Sequence, residues 1–108
     1  MKRTGFFILL FIITLTVFDS CKKNKDTNAP VITILGDNPL TVPLGQPYVD
    51  PGATAYDQED GDITDKIKTT IDVNTDVEGY NYHVYYNVQD NAGNKAVEAV
   101  RSVHVLQF

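Results

Sequence analysis

At 108 residues the chain has room for one domain beside a short N-terminal segment. Its formal charge is −5, and residues 30–108 carry only Lys66, Lys68, Lys95 and Arg101 as basic side chains against twelve acidic ones. That imbalance argues against nucleic acid or anionic lipid as a partner, since both select a basic face.

Met1-Lys2-Arg3 is a short basic start, followed by an apolar run from Phe6 to Phe18. Those thirteen residues would span roughly 20 Å as a helix, too little for a ~30 Å hydrocarbon core, so the run reads as the apolar part of a signal peptide. A soluble secreted product would want an Ala-x-Ala-like cleavage site, yet the first alanine is Ala29. The run ends instead in Phe18-Asp19-Ser20-Cys21, which resembles a bacterial lipoprotein signal of the looser kind found in Bacteroidetes, with small Ser20 before the Cys that is acylated. Cysteine usage agrees, because an exported chain with one Cys forms no internal disulfide and its thiol needs another use. The expected organisation is a cleaved signal peptide over 1–20, lipidated Cys21 with a flexible polar tether over 21–29, and a domain over 30–108. The anchor implies an outer-membrane lipoprotein, with the face of that membrane left open.

Without Trp, and with all Phe but the terminal Phe108 in the leader, the domain core must come from Val, Ile, Leu, Tyr and Ala. Val31 to Leu35 is a β-rich run closed by Gly36-Asp37-Asn38-Pro39. Leu40, Val42 and Leu44 alternate with Thr41 and Pro43, an edge strand because Pro43 cannot donate to a ladder. Ala53 to Tyr56 is a short strand of mostly small residues, and Asp57 to Asp62 an acidic loop. Ile67, Thr69, Ile71 and Val73 then alternate with Lys68, Thr70 and Asp72.

Tyr80, Tyr82, Val84, Tyr86 and Val88 recur with a period of two, opposite Asn81, His83, Tyr85, Asn87 and Gln89. Asp90 to Asn94 turns the chain into a last strand, from about Ala96 to Leu106. This predicts a central hairpin in an all-β, Ig-like antiparallel β-sandwich of about seven strands. On the last strand Arg101 shares parity with Val97, Ala99, Val103 and Val105. Either a bulge shifts the face near Val100, or Arg101 lies inward and pairs with a carboxylate near the acidic loop.

The segments APVITILG (Ala29 to Gly36), YVDPGATAYDQEDGDIT (Tyr48 to Thr64), YHVYYNVQDNAGNKA (Tyr82 to Ala96) and Arg101 to Val105 together resemble a bacterial Ig-like domain. This is the type first recognised in a pesticidal crystal protein and widespread in bacterial surface proteins. An extra residue between Gly79 and Tyr82 suggests a bulged strand start. The resemblance implies an adhesion, spacer or accessory module without catalytic activity.

The acidic loop carries the sharpest chemistry. Asp57, Glu59, Asp60 and Asp62, with Asp90 approaching from a neighbouring turn, offer hard oxygen ligands of the kind Ca²⁺ takes. The competing reading is that these carboxylates cap tight turns, with Gly61 at positive φ. Tyr85 with Tyr48 or Tyr56 offers aromatic surface for a glycan. No catalytic residues are assigned: the carboxylates crowd one polar loop, and His83 and His104 lie on polar parities without metal-ligand spacing. No Ser/His/Asp set or Gly-rich phosphate loop stands out. The expectation is therefore a non-enzymatic, lipid-anchored envelope module with an envelope protein or glycan as partner, without cofactor unless calcium.

Overall fold

A computed structural model describes residues 25–108, so the leader and Cys21 lie outside the described residues. Seven strands run in order: β1 (Val31–Ile34), β2 (Leu40–Pro43), β3 (Ala53–Asp57), β4 (Gly61–Asp62), β5 (Lys68–Asp72), β6 (Gly79–Asn87) and β7 (Ala99–Leu106). A single 3-10 turn, Thr64–Lys66, separates β4 from β5. One sheet is ordered β1-β3-β4, the other β2-β7-β6-β5. Val42, Val84, Tyr86 and Val103 of the larger sheet pack against Ile32, Ile34 and Ala53 of the smaller, which makes the fold a sandwich. A second cluster of Ala55, Ile63, Val88 and Ala96 closes one end.

The hairpin of β6 and β7 is central, as the alternation predicted. Asp90 N–H donates to Asn94 O and Gly93 N–H to Asp90 O, both at 3.0 Å, so Asp90 to Asn94 forms the turn. Four details differ from expectation. The larger sheet is mixed rather than wholly antiparallel, because β2 pairs parallel with β7, Leu40 opposite Val103. Part of the acidic loop is strand, β4 pairing Asp62 with Tyr56 and Gly61 with Asp57. The last strand begins at Ala99, not Ala96, and Val97 is 87% exposed. Tyr80 faces outward, because the β6/β7 register slips between Gly79 and Tyr82, as the extra residue there suggested. An added residue reverses every side chain before it.

Along β5 every residue is exposed, including Ile71, although Ile71 pairs with buried Val84. The smaller sheet has three strands, one of only two residues, and does not reach across to cover this edge. Alternation specified the face; it could not specify what lay opposite.

Candidate functional site

Arg101 is inward and 0% exposed. Its register partner is Val84, with no bulge near Val100, so inward pairing was the correct alternative. The carboxylate it meets belongs to Asp50, not to the acidic loop, with Nε 3.4 Å from Asp50 Oδ1. Nε also donates to Tyr86 Oη at 3.2 Å, and Nη2 to the carbonyls of Leu35 at 2.6 Å and Gly52 at 3.0 Å. Nη1 donates to Asp37 O. Asp50 in turn accepts from Tyr48 Oη at 2.5 Å, Tyr86 Oη at 2.6 Å and Gly52 N–H at 3.0 Å. Arg101 thus ties the loop after β1 and the segment before β3 to the larger sheet. Burial pushes the Asp50 carboxyl up, but the two tyrosine hydroxyls and the guanidinium outweigh it and hold it below the usual range. Burial, then the adjoining carboxylate, pushes the Tyr48 and Tyr86 hydroxyls up. Gly36 lets this pile close: its φ is +80°, and a Cβ there would meet Pro51 at 3.1 Å. This node is internally satisfied and structural.

The expected calcium ligands divide. Asp62 Oδ1 accepts from Thr64 N–H at 3.0 Å and Thr64 Oγ at 2.6 Å, and those bonds draw its pKa down. Asp60 Oδ2 accepts from Asn91 N–H at 2.8 Å, joining the loop to the hairpin turn. These two cap turns, with Gly61 at φ +83° as that reading required. Asp57 and Glu59 instead come together with Asp26, their ligand oxygens within 4.8 Å of one another. Asp90 adjoins them through Asn94, whose Nδ2 donates both to Asp90 Oδ2 at 2.9 Å and to the Asp26 carbonyl at 3.0 Å. Burial raises Asp90, but Asn94 side-chain and backbone donors outweigh it and hold it low. Burial and then Asp26 raise Glu59.

Asp26 escaped the sequence reading because it was assigned to the tether. Its backbone carbonyl accepts from Asn94 Nδ2 at 3.0 Å, and its Oδ1 from Asn28 N–H at 3.0 Å. Residues 26–28 therefore lie against the domain end. The readable signal was a carboxylate and an amide at positions 26 and 28, just ahead of Pro30 and β1.

The three tyrosines expected to share a glycan surface are separated. Tyr48 packs on the core and is committed to Asp50. Tyr56 is 62% exposed on β3, whereas Tyr85 points outward from β6 in the other sheet. They form no single platform. The outer face of the larger sheet instead gathers His83 beside Tyr85, ring centroids 6.0 Å apart, and Tyr80 edge-on to His104 at 4.8 Å. At one margin an open concavity of about 480 Å³ is lined by Lys66, Lys68, Thr70, Asn87, Val88, Gln89 and Lys95. Three of the four basic side chains of residues 30–108 thus share one hollow.

Residues 32–105 match the family described as bacterial surface protein, Ig-like domain. The chain belongs to that family. Among solved structures it is similar to a lipoprotein from Bacteroides thetaiotaomicron, with 26% identity and a TM-score of 0.59, covering 72% of this chain and 38% of that one. It is also similar to a structure of CBM51-2 in complex with GlcNAc and INT domains from Clostridium perfringens ZmpB, with 33% identity and a TM-score of 0.57, covering 73% of this chain and 17% of that one. The chain thus spans well under half the length of either. No curated protein matches it. Within the Ig-like surface domain, the DPGA and Arg101 segments that carried the resemblance are the two halves of the buried node.

Proposed function

We propose that this chain is a non-enzymatic, lipid-anchored module of the cell envelope, working by protein interaction, adhesion or scaffolding. The observation that carries this reading is the division of its polar groups. Arg101, Asp50 and Tyr86, between the sheets, are spent on one another, while the outer face of the larger sheet presents His83, Tyr85, Tyr80 and His104 without such commitment. Membership of a bacterial surface-protein family and the similarity to a Bacteroides lipoprotein support an envelope location. The finer assignment is an outer-membrane lipoprotein of Bacteroidetes type, acylated at Cys21, with its Ig-like domain of the kind first seen in a pesticidal crystal protein. Cys21→Ala should abolish fatty-acid labelling and release the chain from membranes; unchanged labelling would remove the anchor. Protease treatment of intact against lysed cells then distinguishes a surface domain from a periplasmic one.

A second reading is glycan binding, favoured by the tilted Tyr85–His83 pair next to the lysine-lined hollow, where Tyr85 stands opposite Thr70 of its lining. That chemistry suits an acidic sugar, ring against Tyr85 and carboxylate against Lys68 or Lys95. The structure containing CBM51-2 with GlcNAc is a protein of sugar-related context, and it lends the reading support. Glycan-array binding lost in Tyr85→Ala would favour it, and an empty array would leave the protein-interaction reading.

A further inference from the structure

Asp57 is fully buried at the end of β3. Its Oδ2 is used twice, accepting from Glu59 N–H at 3.0 Å and Asp60 N–H at 2.9 Å. Its Oδ1 has no partner among the described residues, although it is buried. An orphaned buried carboxylate oxygen forfeits its hydration without replacement, so a native protein is expected to supply something there. What surrounds it is more negative charge: Asp26 and Glu59, with Asp90 tied to Asp26 through Asn94. The ion pair found among the described residues joins Arg101 to Asp50, and no basic side chain among them forms one with this cluster.

We propose that Asp26, Asp57, Glu59 and Asp90 bind one Ca²⁺, which fixes the segment entering the domain to its sandwich end. The spacing admits the ion. Ligands on opposite sides of a Ca²⁺ stand about 4.6–5.2 Å apart, given bonds of about 2.3–2.6 Å. The oxygens of Asp26, Asp57 and Glu59 lie within 4.8 Å of one another, a spread one such ion spans. Mg²⁺, which demands strict octahedral geometry and sheds its waters reluctantly, suits an all-carboxylate cluster less well than Ca²⁺. All-oxygen ligands exclude a preference for softer metals. The amides are already disposed around the carboxylates, Asn94 donating to Asp90 at 2.8 and 2.9 Å and Asn28 N–H to Asp26. Those bonds orient the ligands and leave other lone pairs for a cation. Because the ligands come from the entering segment, the β3–β4 loop and the β6–β7 turn, the ion would join three chain segments at one point.

The test uses the full 108-residue chain in detergent micelles, with CaCl₂ as the only added ligand. Calorimetric titration should show a saturable one-site isotherm. Millimolar Ca²⁺ should raise the thermal midpoint over chelator by at least about 4 °C, the scale of a 1 kcal/mol gain in a domain this small. Asp57→Asn keeps an oxygen for the loop caps but places an amide in the site, and Glu59→Gln changes an exposed ligand. Each should weaken Ca²⁺ affinity by about tenfold or more. The proposal is overturned by an absent isotherm, by an equal rise in sodium chloride of matched ionic strength or in Mg²⁺, or by both variants keeping the full calcium effect.

Discussion

The sandwich holds two concentrations of carboxylate, one around half-buried Asp50 and one around buried Asp57, and they have opposite character. Around Asp50 the negative charge meets a guanidinium, two hydroxyls and a backbone N–H, and the guanidinium's own donors end on three carbonyls. Around Asp57 the carboxylates of Asp26 and Glu59, with Asp90 close by, meet amides and N–H groups but no paired cation among the described residues, and one oxygen is left over. Burying an ion pair is tolerable only when its remaining lone pairs and protons are satisfied. The first region meets that condition within the chain, and the second would meet it with the proposed cation in place. Both lie among the segments that carried the family resemblance, so a motif alone does not tell a structural charge from a binding one.

The sharpest way to break the comparison is Arg101→Met. It leaves the Asp50 carboxylate buried without its cation and should cost about 3–5 kcal/mol, a large part of a small domain's stability. Urea unfolding that matched the parent chain would show the node to be incidental. The next effect is on pH dependence. Asp50 titrates below its ordinary 3.8 when folded, so its contribution is complete above about pH 4 and is lost as pH falls through the lowered value. Tyr48 and Tyr86 titrate above 10.0, so their contribution is complete below about pH 10 and is lost as pH rises through the raised values. Urea midpoints measured across pH should fall on both sides of that range. In Asp50→Asn the acid limb should flatten, and an unchanged acid limb would contradict the assignment.

Smaller effects separate the two ends further. Asp60→Ala removes the acceptor for Asn91 N–H, an exposed link between loop and turn, and should cost about 0.5–1.5 kcal/mol. Because Asp60 stands outside the proposed ion site, the calcium-dependent rise in melting should survive in this variant; its loss would move Asp60 into the site. Least of all for stability, Tyr85→Ala should cost about 0.2–1 kcal/mol, the scale of a cross-strand pair. The same change should sharply reduce capture of a partner or sugar by the outer face. Undiminished capture would direct attention to the smaller sheet, where Tyr56 is exposed.

Local sequence was enough for most of the strands, the central hairpin, the edge position of β2 and the two-way choice at Arg101. Each depends on period, turn residues or the missing proline N–H, which neighbours along the chain determine. It also singled out the acidic loop as a candidate for ligand chemistry, and it supplies the expectation for the leader and Cys21, which lie outside the described residues. Tertiary structure alone decided which carboxylates do what. Asp50 lies 51 positions from Arg101, and Asp26 lies 31 from Asp57; nothing in their local patterns announces either meeting. The parallel pairing of β2 with β7 and the exposure of Ile71 were decided there too. The physical reason is common to all of them. Alternation tells a side chain which way to point, while its charge, partner and burial depend on what the folded chain brings to that side.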